Sequence, residues 1–468
     1  MAVPQHIFRE YDIRGLVETD LEPETVAALG RATATYVARQ SGKARPALSV
    51  GRDVRPSSDR LQDDLARGLL SAGADVVDIG VVPTPVQYFS LHRLPVDGGV
   101  MITGSHNPPE YNGFKVSLGK VPLMGSEIQE LRRLIESGDL ASGRGAASQE
   151  PVTSEYMAAI RERVRLARPL KVVVDPANAT GALFTSTLLT QIGCEVVAIN
   201  NDVDGTFPSH HPDPTVDANL AQLIERVRKD GAAAGFALDG DCDRLGAVDE
   251  RGRIVRGDQL VALLAREQIA RTPGAAILFD VKCSRALPED ILAHGGKPVM
   301  WKTGHSLLKR KMWEDNIPFG GEMSGHLFFN YDYFGFDDAI YAACRLSQIL
   351  SSTSESFGTL LDQLPAYPST PELRLETTEE RKWAIVEAAQ RRFAARGEVN
   401  TVDGIRVDLP EGWFLLRTSN TQPVVVLRVE GRDEAALAGL QDEVGAFLRS
   451  QGLTDIPWEG HAARGAHA

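Results

Sequence analysis

The chain holds 468 residues, 43% hydrophobic and 24% charged, which is the make-up of a folded globular protein and excludes wholesale disorder. At roughly 150 residues per domain, about three domains are expected. Lys plus Arg number 50 against 63 Asp plus Glu, so the net charge of −13 excludes a surface built for nucleic acid but allows local basic pockets for small anions.

Along the chain, Met1–Asp12 carries Arg9, Glu10 and Asp12 where a signal peptide needs an apolar core. No uninterrupted apolar run approaches the ~18 residues of a membrane span. The cysteines, Cys194, Cys242, Cys283 and Cys344, form no CxxC pair and read as reduced, buried small hydrophobes. A cytoplasmic location is expected, with no membrane partner.

One pattern then occurs three times. Leu48–Asp53 is an apolar run ending in Asp; helical spacing follows through Leu61, Leu65 and Leu69, a stop at Gly73, and a second run at Val76–Ile79. Val172–Asp175 leads through Leu183 and Leu188 to Gly193 and Val196–Ile199, and Ile277–Asp280 leads through Leu287 and Leu292 to Gly295 and Val299–Trp301. Continuous apolar strands crossed by helices predict parallel sheets covered on both faces, with ligands at the carboxyl ends of the strands. The last hundred residues differ. A strand at Leu373–Leu375, a helix at Glu379–Phe393, strands at Ile405–Leu409, Trp413–Arg417 and Val424–Val429, and a helix at Asp433–Leu448 predict an α+β unit with mainly antiparallel strands. Linkers are expected at Ser137–Thr153, Leu364–Pro371 and near Arg251–Asp258, and a disordered tail from Thr454. The expected fold class is α/β, with three similar α/β domains of mixed, largely parallel sheets at 1–150, 151–252 and 253–366, and a fourth, α+β, domain at 367–468.

Four polar loops carry candidate chemistry. In Thr103-Gly-Ser105-His106-Asn107, a serine hydroxyl has an imidazole beside it and Lys115 ten residues on, the neighbours a nucleophile or phosphoryl carrier needs; a plain β-turn competes. In Asp239-Gly-Asp241-Cys-Asp243, three carboxylates repel one another unless a cation sits between them; a solvated acidic turn competes. Gly320-Gly-Glu322-Met-Ser324-Gly-His326 suits hydrogen bonding to a polyol, or is a tight turn. Arg417-Thr-Ser419-Asn420-Thr421 offers a phosphate nest, or is a hairpin loop. One loop per expected domain suggests four domains closing on one cleft.

At these residues the chain resembles the α-D-phosphohexomutases, most closely their bacterial phosphomannomutase/phosphoglucomutase branch. The likeness runs from Phe8-Arg-Glu-Tyr-Asp-Ile-Arg14-Gly15 to Arg417–Pro423. It implies four domains around a cleft, Ser105 as the phosphorylated catalytic serine, and Mg²⁺ held by Asp239, Asp241 and Asp243 together with Ser105. It further implies that Arg14, His106, Lys115, Arg244 and His326 serve catalysis, and that Tyr11, Lys282, His305, Glu322, Ser324, Arg417, Ser419, Asn420 and Thr421 bind substrate. Met323 matches the mannose/glucose branch, where glucosamine-phosphate mutases typically carry Gln. The implied activity interconverts hexose 1- and 6-phosphates through a hexose 1,6-bisphosphate, in a protein expected to be a monomer whose partners are small-molecule phosphosugars. A phosphatase using Asp239 as nucleophile, a phosphoglucosamine mutase and a metal-stabilised sugar-phosphate sensor are the alternatives.

Overall fold

The computed structural model describes residues 3–419 and 422–458. Three of its four sheets are built on one four-strand plan. In the first, Ala47–Arg52 lies between its parallel partners Asp75–Val81 and Gly98–Ile102, and Tyr111–Leu118 runs antiparallel beside the latter. In the second the same places are taken by Leu170–Asp175, Cys194–Ala198, Ala234–Leu238 and Leu245–Asp249. In the third they are taken by Ala276–Asp280, Lys297–Trp301, Phe319–Gly321 and Leu327–Phe329. The apolar runs at 172–174 and 277–279 are fully buried, as strands covered on both faces must be. The sheets are thus mixed: parallel at the repeated strands and antiparallel at the fourth.

This plan puts the three predicted chemistry loops at equivalent places. Thr103–Glu110, Asp239–Arg244 and Glu322–His326 each leave the third strand of their sheet and return as the antiparallel fourth. The last sheet is wholly antiparallel, in the order Leu373–Glu376, Val424–Gly431, Gly412–Thr418, Ile405–Leu409 and Glu398–Asn400. Its loop of interest joins Gly412–Thr418 to Val424–Gly431.

Several expectations are revised. Ser137–Thr153 is not a free linker: Ala147–Gln149 adds a parallel edge strand to Asp75–Val81. A Cβ at Gly145 would lie 1.7 Å from the Ala74 carbonyl oxygen, so only glycine permits this approach. Near 251–258, Ile254–Val255 still pairs with Leu245–Asp249, and helix Gly257–Arg271 starts at once. Leu183 ends a short 3₁₀ turn, and the α-helix begins only at Thr185. Glu398–Asn400 is a strand the hydrophobic pattern does not reveal. The tail is described only to residue 458, and residues 459–468 lie outside the described part.

Helix Ala339–Ser351 is buried on nearly every side and follows the third sheet, yet it packs against strands Leu170–Asp175, Ala234–Leu238 and Leu245–Asp249 of the second. Its N-cap, Asp338, accepts the Tyr341 N–H at 2.8 Å and the hydroxyls of Tyr156 and Tyr333 at 2.9 and 2.7 Å. One continuous apolar core results, running from Ile79 and Phe89 of the first unit through Val174 and Phe236 to Phe279 and Leu361. A second core fills the other side of the first sheet. The last unit has its own, around Ile385, Phe393, Phe414 and Leu440.

Candidate active site

Ser105 sits at the start of its loop in a left-handed conformation, φ 48°, and is buried. Its Oγ donates to Asp239 Oδ2 at 2.9 Å and lies 3.1 Å from His106 Nδ1. Burial, reinforced by Arg244 and Arg14, holds His106 well below the usual imidazole range and therefore neutral. Arg14, on strand Ile13–Leu16, donates to Asn107 Oδ1 and to Asp12 Oδ2, which fixes the outer side of the serine loop.

The three aspartates converge as their spacing suggested. One carboxylate oxygen from each lies within 4.8 Å of those of the other two, and all three side chains are buried. Asp239 Oδ1 accepts the N–H groups of Asp243 and Arg244 at 3.0 and 3.1 Å. Asp241 Oδ2 accepts Thr84 Oγ1 and Lys115 Nζ, both at 2.6 Å, and Lys115 also reaches Asp243 Oδ2 at 2.5 Å. Against its own burial, these two aspartates hold the Lys115 ammonium well above its ordinary value. Burial, then the charges of Asp243 and Asp241, push Asp239 well above the carboxylate range. Among the described residues, Asp241 Oδ1 and Asp243 Oδ1 have no hydrogen-bond partner. Three converging buried carboxylates, two of them with an oxygen that takes no hydrogen bond and the third bonded to a serine hydroxyl, are the donor set of a hard divalent cation, so the cluster suits a metal ion.

Both oxygens of Asp239 are therefore engaged, by two backbone N–H groups and by Ser105. That argues against Asp239 as a free nucleophile.

From Asp243 the site continues into the third unit. His326 Nδ1 is 3.6 Å from Asp243 Oδ1, and its Nε2 accepts Arg244 Nε at 3.0 Å. His305, the first residue of helix His305–Glu314, stacks on His326 with ring centroids 5.1 Å apart. Burial pushes His305 down to about 4. Asp337 Oδ2 faces both imidazoles, at 3.0 and 3.4 Å, and its Oδ1 accepts Lys309 Nζ at 2.8 Å. Glu322 Oε1 accepts the Gly304 N–H at 2.6 Å; burial raises its carboxyl above the ordinary value. Ser324 is half-buried in the turn between Glu322 and His326. The Tyr11 ring covers Gly304, where a Cβ would lie 2.6 Å from Tyr11 Cζ, and the Tyr11 hydroxyl donates to the Thr303 carbonyl at 2.9 Å.

The last unit joins through a carboxylate. Asp403 Oδ2 accepts both the Thr303 N–H at 3.0 Å and Arg417 Nε at 2.9 Å. Lys282 Nζ pairs with Glu372 at 3.1 Å; burial opposes its charge, but Glu372, Asp280 and Glu322 raise it above the ordinary lysine value. Ser419 Oγ accepts the Gln422 N–H at 3.2 Å, and its carbonyl accepts Lys382 Nζ at 2.7 Å. Asn420 and Thr421 lie outside the described residues. Ser105, His106, Arg14, Lys115, the three aspartates, Arg244, His326, His305, Tyr11, Glu322 and Arg417 are linked by these contacts, which reach all four sheets.

Sequence reasoning missed Thr84, Asp337, Lys309 and Asp403. The apolar run ending in Asp was visible three times, but not its use: Asp53 accepts the Gly104 N–H at 3.2 Å, and Asp280 accepts the Met323 N–H at 3.0 Å. Each braces the chemistry loop of its own sheet.

Comparison with known proteins matches four family models in chain order. They are the phosphoglucomutase/phosphomannomutase alpha/beta/alpha domains I, II and III, at residues 5–142, 154–252 and 256–367, and the C-terminal domain at 372–446. A phosphomannomutase/phosphoglucomutase of Pseudomonas aeruginosa is 46% identical over 437 residues, covering 93% of this chain and 94% of that protein. A phosphoglucomutase of Neisseria meningitidis is 40% identical over 453 residues, covering 96% and 98%. The crystal structure of a phosphoglucomutase/phosphomannomutase family protein from Burkholderia thailandensis superposes with a TM-score of 0.92 at 42% identity, covering 97% of this chain and all of that one.

Proposed function

The chain belongs to the phosphoglucomutase/phosphomannomutase family, and from that premise we propose that it interconverts hexose 1-phosphate and hexose 6-phosphate, of mannose, glucose or both, through a phosphoserine at Ser105. The observation that carries this reading is the contact of Ser105 Oγ with Asp239 inside a three-carboxylate cluster neutralised on one side by Lys115. Asp239, Asp241, Asp243 and Ser105 would hold Mg²⁺, which would act as a Lewis acid on the phosphoryl oxygens.

In the proposed cycle the free hydroxyl of the sugar attacks the phosphorus carried on Ser105. The new P–O bond forms as the bond to serine Oγ breaks, and the hydroxyl proton leaves to a base of the cleft. The hexose 1,6-bisphosphate turns end for end, and Ser105 recovers the other phosphoryl group. Lys115, Arg244 and Arg14 supply fixed positive charge next to Ser105, where negative charge is spread in the transition state. His106 Nδ1 lies 3.1 Å from Ser105 Oγ, beside the proposed point of transfer. His326, at the end of the sugar loop, and His305 stacked on it lie beside Asp243 of the metal loop. Tyr11, Lys282, Glu322 and Ser324 would meet the sugar, and Arg417, Ser419, Asn420 and Thr421 its non-transferring phosphate.

Among the described residues no helix is long and apolar enough to cross a membrane. We further propose domain divisions at 1–150, 151–252, 253–366 and 367–468, a monomeric state and a cytoplasmic location; the four separate sheets and the four family matches support the divisions.

The testing experiment pairs turnover with mass. Purified protein should convert mannose 1-phosphate or glucose 1-phosphate to the 6-phosphate, given a trace of bisphosphate, without releasing inorganic phosphate. A fraction should be heavier by one phosphoryl group, mapping to Ser105. Stoichiometric phosphate release would point to a phosphatase instead.

Two variants separate the binding loops. Arg417→Ala removes a charge-assisted donor and should raise KM by about 10- to 100-fold for every phosphosugar, with little change in sugar preference. Glu322→Gln should lower kcat/KM and shift the mannose-to-glucose ratio, since the two sugars differ only at C2. Sharp sugar discrimination by Arg417→Ala, with Glu322→Gln unchanged, would reverse the assignment.

A further inference from the structure

We propose that Arg55, outside the family-derived site residues, is the positioning residue that sets the trajectory of Ser105 Oγ, with Phe207 of the second unit seating its guanidinium. The proposal rests on the phosphoserine reading above and deepens it. A guanidinium has five N–H donors in a fixed fork, and all five of Arg55 are used. Nε donates to Asp53 Oδ2 at 3.1 Å. Nη1 donates to the carbonyls of Pro108 and Tyr111 at 2.6 and 3.0 Å. Nη2 donates to the carbonyls of Ser105 and Asn107 at 2.8 and 2.5 Å. Three carbonyls of the loop, and that of Tyr111 where the next strand begins, thus converge on one planar cation, whose side chain is 0% exposed.

This convergence curls the loop so that Ser105 stands at φ 48°, a region a serine adopts only when its surroundings hold it there. The fit admits nothing larger than glycine: a Cβ at Gly104 would fall 2.5 Å from Arg55 Cζ. Asp53 completes the brace, accepting the Arg55 and Gly104 N–H groups at 3.0 and 3.2 Å and Ser58 Oγ at 2.5 Å. From the second unit, the buried Phe207 ring lies 5.0 Å from Arg55 Cζ. The metal loop closes on the same carbonyl, since a Cβ at Gly240 would lie 2.3 Å from the Ser105 oxygen. Arg55 therefore fixes the serine backbone at the point where the first two units meet. It touches neither the proposed sugar loop nor the phosphate loop. A lysine keeps the charge but cannot span four carbonyls.

The test uses the full chain, with mannose 1-phosphate and glucose 1-phosphate as substrates. Arg55→Lys should lower kcat about 100-fold, the effect of a misplacement near 1 Å, and leave KM within about threefold, because substrate-binding loops elsewhere are untouched. Single-turnover transfer from the phosphorylated enzyme should slow by the same factor. Millimolar guanidinium should restore part of the kcat of Arg55→Ala and none to the wild type. Phe207→Ala, with Arg55 intact, should lower kcat more mildly, again without moving KM, and decides the matter if neither Arg55 variant folds. Wild-type-like kcat in Arg55→Lys or, failing its folding, in Phe207→Ala overturns the proposal, as does a loss confined to KM. A wild-type protein inert toward both sugars would instead overturn the mutase reading.

Discussion

Ser105→Ala is expected to lose hexose-phosphate mutase activity by about 10⁴-fold or more, the scale on which covalent nucleophiles are missed. The methyl group fits the space of the hydroxymethyl, so the fold should persist. What is lost locally is the hydrogen bond to Asp239 Oδ2 and the contact with His106 Nδ1. A hydrogen bond to a buried carboxylate contributes about 1.5–3 kcal/mol, a modest fraction of the stability of a chain this size. Steady-state turnover with both sugar phosphates, beside a thermal melt, checks both halves of the expectation. Turnover close to that of the wild type would remove the phosphoserine from the mechanism.

The second large effect concerns the carboxylate cluster. Activity should vanish in excess chelator and return with Mg²⁺, and chelation should lower the melting temperature, because an ion bound only to the folded state stabilises it. Asp241→Asn should cost about 100-fold or more in kcat/KM at Mg²⁺ levels that saturate the wild type, with weaker Mg²⁺ binding by calorimetry. Among the described residues Asp241 Oδ1 has no hydrogen-bond partner, while Oδ2 already takes Thr84 and Lys115. The amide removes one negative charge and turns an N–H₂ toward these donors or toward the ion. Full activity in chelator from metal-free protein would rule the ion out.

The legible parts of this fold are those whose physics is local. Strands such as 172–174 and 277–279 announce themselves as unbroken apolar runs because both faces are covered. The acidic triplet is legible because i, i+2, i+4 carboxylates are costly without a cation. All three residues of the edge strand Ala147–Gln149 are exposed, and the strand lies in a Gly-, Ser- and Ala-rich stretch, so it has no apolar face to betray it. Glu398–Asn400 is too short to show alternation. The missed site residues fail for another reason: their partners are remote. Thr84 meets Asp241 across 157 positions, and Arg55 meets the serine loop across about fifty. Asp337 follows aromatic residues in Tyr333-Phe-Gly-Phe-Asp337, and nothing in that string names His305 or His326 as what it faces. The resemblance named Arg417 as a substrate-binding residue, but not the Asp403 carboxylate that ties it to Thr303.

The distribution of apolar cores has a thermodynamic consequence. The first three sheets share one core from Ile79 to Leu364, fastened by helix Ala339–Ser351 and the tyrosines on Asp338. No one of them can lose its packing without exposing the flank of the next. The last unit encloses its own core and meets the third through a small apolar contact of Val281 with Trp413 and Leu415, and through bonds such as Arg406 Nη1 to the Val281 and Cys283 carbonyls at 2.8 and 2.7 Å. Denaturant therefore meets two cooperative blocks of unequal size, and a single midpoint fitted to the whole chain would average two unlike equilibria.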